Sequence, residues 1–159
     1  MIKTLLETHI ENNAPDSEIA VLLSGGVDSI SVAFAADNLG KKIHAYSFRL
    51  DTHTSYDFEK AKEIAKQFDW KFTEIIIPTN NLVKDFHRLI KLGCKSKTSV
   101  ECTYPFLYIY PQISQKCVIS GWAADGYYGI SKKAQINYKH TQELFDEFRN
   151  NYFGSSNPA

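Results

Sequence analysis

Six consecutive residues, Ser24-Gly25-Gly26-Val27-Asp28-Ser29, combine two hydroxyls, two adjacent glycines and a carboxylate. They follow an apolar run and precede a segment of small and apolar residues, so they read as the turn between a strand and a buried helix. Such a turn presents unpaired backbone N–H groups at the positive end of the helix dipole. The glycine pair lets the backbone take unusual dihedrals and approach a ligand with no Cβ in the way. Ser24 and Ser29 add hydroxyl donors. The chemistry this suits is the binding of an anion, phosphate above all. Asp28 fits if a Mg²⁺ ion lies between its carboxylate and the phosphate, since Mg²⁺ is held by one or two carboxylates plus phosphate oxygens. The plainer alternative is a tight turn in which Asp28 and Ser29 cap the helix. The string matches neither G-x-x-x-x-G-K-[ST] nor G-x-G-x-x-G, which excludes the Walker and dinucleotide loops.

The elements that hold this loop are legible in the pattern around it. Short apolar runs alternate with amphipathic segments, the mark of βα units and a parallel sheet. Residues 19–23, 43–48, 72–77 and 117–120 are expected strands, and the first and last are almost uniformly apolar, as strands covered on both faces must be. Helices are expected over residues 1–12, 29–39, 56–68 and 82–90, with a further apolar stripe at Leu144, Phe145, Phe148 and Tyr152. Residues 93–98 read as a loop, and residues 100–113 as helical as far as Pro111. Gly40 is placed to close the second helix, and Pro78-Thr79-Asn80 to part strand from helix. If the strands lie in the order 3-2-1-4, the point where that order reverses falls between strands 19–23 and 117–120. The glycine loop and the segment Ser120-Gly121-Trp122-Ala123-Ala124-Asp125-Gly126 then leave neighbouring strand ends.

Composition narrows the classes. A chain of 159 residues is expected to form one domain, with a core over residues 17–131 and a C-terminal helix and turn over residues 132–159. Its 18 Lys and Arg balance 18 Asp and Glu, so the basic excess of a dedicated nucleic-acid binder is missing. No stretch approaches the roughly 18 apolar residues of a membrane span. The first residues also lack the apolar region of a secretion signal, and a cytoplasmic protein is expected. Cys94, Cys102 and Cys117 are widely spaced and form no zinc or redox pair, so reduced thiols, at least two of them packing residues, are expected. His53 and His87 are isolated and receive no role.

The run L-L-S-G-G-V-D-S resembles the pyrophosphate-binding signature of the N-type ATP pyrophosphatases, the PP-loop superfamily. That superfamily includes asparagine synthetase, β-lactam synthetase, GMP, NAD and argininosuccinate synthetases and several tRNA-modifying enzymes. The segment from Ser120 to Gly126, followed by Tyr127-Tyr128-Gly129, is similar to the asparagine synthetase motif S-G-E-G-x-D-E and its following turn. Ala45-Tyr46-Ser47-Phe48, the helix from Asp57 to Ala65, and Glu74 line up between the two, so the resemblance covers about residues 19–131. It implies a Rossmann-like, doubly wound parallel sheet in three α/β/α layers, of the adenine nucleotide alpha hydrolase kind. It implies ATP and Mg²⁺, cleavage between the α and β phosphates, and adenylation of a small-molecule acceptor, a carboxylate in the asparagine synthetase branch. Residue by residue, it puts adenine against Leu22, Ser47, Phe48 and Gly121, the phosphates at residues 24–29, and Ser120 among the nucleotide-binding residues. It sets Asp28 and Asp125 on one Mg²⁺, and offers Lys132 and Lys133 as pyrophosphate contacts. For Asp125 the alternative is a helix cap or turn, and for the two lysines plain surface.

The pattern also departs from that branch. Trp122 and Gly126 stand where the motif has glutamates that handle the acceptor or its proton, which puts asparagine synthesis itself in doubt. No amidotransferase domain precedes the loop, so glutamine is not expected as the ammonia donor within the chain. Asparagine synthetases continue beyond this point, so a minimal domain, a truncation or half of an assembly is expected, and such a short domain has an unfinished face that a second copy could cover. A second reading is a tRNA- or nucleobase-modifying enzyme using Cys102, with Lys91, Lys95 and Lys97 as an RNA-facing patch beside Cys94. A third is a subunit that binds nucleotide without turning it over.

Overall fold

The computed structural model describes residues 2–122 and 124. The chain divides into two units, residues 1–120 and residues 121–159. In the first, four parallel strands form one sheet in the order β3-β2-β1-β4. They are β1 (Glu18–Leu22), β2 (Lys42–Leu50), β3 (Lys71–Ile77) and β4 (Val118–Ser120). Both the strand assignments and their order agree with the sequence reading, and the order reverses between β1 and β4.

Alternation along the strands explains why the sheet is covered twice. Ile19, Val21 and Ala45 point to one face, where Ile10 and Ala14, Ala33 and Ala36, and Ala61 and Ala65 close on them. Those residues belong to or directly follow α1 (Ile2–Asn13), α2 (Val27–Asn38) and α3 (Tyr56–Gln67). Ala20, Tyr46 and Ile75 point the other way and pack on Ile109, Phe106 and Tyr108. Three layers result. The alanines matter here, because a helix with small residues on its inner stripe can lie close to the strands.

Helix ends follow local chemistry. Gly40, at φ 72°, closes α2: its N–H bonds to Asp37 O and that of Lys41 to Ala36 O, the paired bonds of a left-handed glycine terminus. Two expectations need correction. Helix α2 starts at Val27 rather than residue 29, since Gly26 already holds the extended N-cap conformation. The continuous helix expected over residues 100–113 is instead α5 (Lys97–Thr103), α6 (Phe106–Ile109) and a 3₁₀ turn over Tyr110–Gln112. The Ser96 hydroxyl caps α5 by accepting from Ser99 N, which shortens the expected loop. Pro105, lacking an N–H, separates α5 from α6. Between β3 and α5 lie a 3₁₀ turn, Thr79–Asn81, and α4 (Leu82–Lys91). The stripe from Leu144 to Tyr152 lies outside the described residues.

Candidate functional site

The loop after β1 is braced by its own serines. Ser29 is buried, and its hydroxyl donates to Gly26 O at 3.1 Å while accepting from Ser24 N at 3.1 Å. With its one proton so placed, Ser29 Oγ accepts from the Ser24 hydroxyl at 2.9 Å, and Ser24 Oγ in turn accepts from Gly26 N at 3.3 Å. Both side chains therefore shape the turn from within. Gly25 is fixed by a different constraint. Its φ is 78°, and a Cβ there would lie 2.3 Å from the Asp57 carbonyl oxygen in the first turn of α3. Only glycine meets both conditions.

Among the described residues, no side chain completes the helix terminus in which the turn ends. Gly26 is the N-cap of α2 and carries no capping group. The N–H groups of Val27, Asp28 and Ser29 have no partner within the helix, because they begin it. Asp28 is the one acid of this first turn, and among the described residues no hydrogen bond or ion pair engages it. Val27 is 71% exposed. The donor set is thus a ring of backbone N–H groups at a positive helix end, suited to phosphate, with one half-exposed carboxylate suited to Mg²⁺. Among the described residues no cluster of three or more metal-binding side chains is found.

Register brings the neighbouring strand ends level with this loop. Leu22 pairs with Tyr46 on one side and with Ser120 on the other. Leu23 N donates to Tyr46 O at 2.9 Å, carrying β1 to the start of the loop. One residue further along β2, Ser47 is buried, and Phe48 is 39% exposed. Of the sequence-predicted residues, Leu22 and Ser120 end β1 and β4, Ser24 follows β1, and Ser47 and Phe48 lie in the carboxyl half of β2. Gly121 opens the second unit, where Trp122 is exposed. Asp125, Gly126, Lys132 and Lys133 lie outside the described residues.

Sequence reasoning missed a charged group beneath α3. Arg49 Nε donates to Glu74 Oε1 at 2.5 Å, and Lys62 Nζ stands 3.6 Å from Glu74 Oε2. The hydrogen bond from Arg49, aided by both positive charges, holds the Glu74 carboxyl below its ordinary range. The resemblance marks Glu74 alone, and its partners emerge only once β2 and β3 are in register, Ser47 opposite Glu74. The cysteines are all free thiols. Cys94 sits in the turn after α4, 3.3 Å from Thr103 Oγ1, and Cys117 packs against the core, where burial pushes its thiol up. Cys102 is exposed on α5.

Known proteins give these features a setting. The family model for asparagine synthase matches residues 2–153. A 7-cyano-7-deazaguanine synthase of Rickettsia felis is 36% identical over 56 residues, which span 35% of this chain and 25% of that protein. Two solved structures share the fold. The NMN synthetase of Francisella tularensis gives a TM-score of 0.57 at 17% identity, covering 97% of this chain and 70% of the other. The NH3-dependent NAD synthetase of Campylobacter jejuni, in complex with nitrate, gives 0.53 at 13% identity, covering 99% and 95%. Among the described residues no helix is long and apolar enough to cross a membrane.

Proposed function

This chain belongs to the asparagine synthase family, and we propose that it binds ATP with Mg²⁺ at residues 24–29 and adenylates a carboxylate. The observation that carries the reading is the open amino end of α2, with Gly25 pressed against the Asp57 carbonyl. In this reading the N–H groups of the loop and of the first turn hold the pyrophosphate, and Leu22, Ser47, Phe48 and Gly121 border the adenine. Asp28 and Asp125 would hold Mg²⁺, which would supply charge neutralisation at the phosphates; Lys132 and Lys133 would add further positive charge beside the departing pyrophosphate. A substrate carboxylate oxygen attacks the α phosphorus, a P–O bond forms, and the bond to the bridging oxygen breaks as pyrophosphate leaves. An amine or ammonia then displaces AMP from the acyl carbon. The chain's contribution is to position the reactants and to place fixed donors where charge develops.

A second reading differs only in the acceptor. The match to a 7-cyano-7-deazaguanine synthase favours an acceptor that carries a purine-like ring over an amino acid. Trp122, in place of the motif's glutamate, offers a ring face to such a group.

The test is a turnover assay with ATP, Mg²⁺ and a panel of aliphatic and heteroaromatic carboxylic acids, with tRNA in a parallel arm. AMP and pyrophosphate formed only with an acid support the ligase; ADP as product sinks it. Tight ATP binding with no turnover on any member identifies a subunit that only binds nucleotide. Asp28→Asn is expected to remove Mg²⁺-dependent turnover by about 100-fold or more, on the scale of a lost charge-stabilising group. Circular dichroism of that variant should match the parent chain.

A further inference from the structure

Helix α4 is finished on one side only. Its inner side buries Leu89 and Asp85, whose carboxylate accepts the Tyr108 hydroxyl proton. Burial and that carboxylate push the Tyr108 phenol up to about 12, so this side is a settled part of the core. The outer side carries Leu82, Val83, Phe86 and Ile90, exposed by 55%, 71%, 43% and 47%. With Val100 of α5 they line an apolar groove of about 960 Å³. Four large apolar side chains open in one stripe mark an interaction surface. The groove is concave and bounded by two helices, the form that receives the ridge of a third.

Charge narrows the occupant. Lys84, Arg88 and Lys91 on α4, and Lys95 in the turn after it, have no acidic partner among the described residues. Lys97 is paired with Glu101 at 3.6 Å. The occupant must therefore be apolar along one stripe and acidic beside it. The sequence of this chain contains such a segment. Residues 143–152 carry Leu144, Phe145, Phe148 and Tyr152 at the same spacing as Leu82, Val83, Phe86 and Ile90, flanked by Glu143, Asp146 and Glu147. Asp146 follows Leu144 as Lys84 follows Leu82, so the two stripes match in register and oppose in sign.

We propose that the groove between α4 and α5 receives residues 143–152 of a second copy of this chain, and that two copies associate by exchanging this segment. The contact is reciprocal, as a two-fold dimer requires, so each docking is made twice. Sedimentation velocity across a concentration series tests it. The parent chain dimerises, and Phe86→Glu or Phe148→Glu raises the dissociation constant at least about 30-fold, the loss of one buried anchor. Asp146→Lys with Glu147→Lys weakens the dimer, and adding Lys84→Glu with Lys91→Glu to the same chain restores it. Circular dichroism confirms folding, and Val83→Ser replaces Phe86→Glu if that variant does not fold. A chain that stays monomeric at every concentration overturns the proposal. So does a dimer that Phe148→Glu leaves intact, or one in which the charge reversals do not compensate.

Discussion

Helices α2 and α3 follow the carboxyl ends of adjacent parallel strands, and their amino ends are finished in opposite ways. Ser55 caps α3, its hydroxyl accepting from Phe58 N at 3.2 Å, and Asp57 and Glu59 add negative charge to the first turn. There the chain itself supplies both a capping acceptor and negative charge for the helix end. Helix α2 has Gly26 as its cap, no capping side chain, and Asp28 as its only acid in the first turn. The two ends also touch, since Gly25 lies against the Asp57 carbonyl. The finished end serves as the wall against which the unfinished one is held. Among the described residues nothing completes α2, and the chemistry of its donors suits an anion.

The comparison breaks most readily at Gly25. Gly25→Ala forces a Cβ into the Asp57 carbonyl and an L-residue into φ 78°. Either the loop leaves the wall or the backbone is strained, at a stability cost of at least about 2 kcal/mol. ATP affinity is expected to fall with it, by about 100-fold, because donors aimed by that contact lose their aim. Gly26→Ala is the control next door. Its φ of −82° suits any residue and its Cβ meets only Ser24 Oγ at 3.4 Å, so the cost in urea should be confined to alanine's poorer N-capping, about 1 kcal/mol or less. If the two alanines behave alike, the contact with α3 does not position the loop.

The contrast between these helices is only half legible in the sequence. Apolar runs and glycine punctuation place the four strands to within two residues at most ends, because burial on both faces leaves little choice of residue. The glycine loop stands out for the same local reason. Contacts between elements are not legible. The contact of Gly25 with Asp57 joins residues 32 positions apart (57 less 25) and exists only once β1 and β2 are paired. Arg49, Glu74 and Lys62 meet through register in the same way. The break at Pro105 is readable in principle, since proline withholds a donor, but the aromatic run through Phe106, Tyr108 and Tyr110 masks it.

A smaller effect isolates the wall from the site. Ser55→Ala removes the hydroxyl that caps α3 and leaves Phe58 N without its acceptor. The expected cost is about 1 kcal/mol in the urea denaturation free energy. Nucleotide affinity measured by calorimetry should change less than about twofold, because Asp57 and Glu59 still hold the first turn together. A large loss of affinity would mean that the cap itself, rather than the carbonyl behind it, keeps the glycine loop in place.

The smallest change in stability carries the sharpest meaning. Gly26→Ser gives α2 the kind of cap that α3 already has, in a backbone conformation that accepts it, φ −82° and ψ 157°. Serine stabilises an N-cap over glycine by only a few tenths of a kcal/mol. Its hydroxyl does so by accepting from the N–H of Asp28 or Ser29, the groups proposed to hold phosphate. Stability and ATP affinity should therefore move in opposite directions, the first slightly up and the second down by about tenfold, one strong hydrogen bond's worth. A helix end that serves only as structure would gain stability and lose nothing. A variant that gains in both would show that the anion binds elsewhere, and the difference between α2 and α3 would then be one of folding alone.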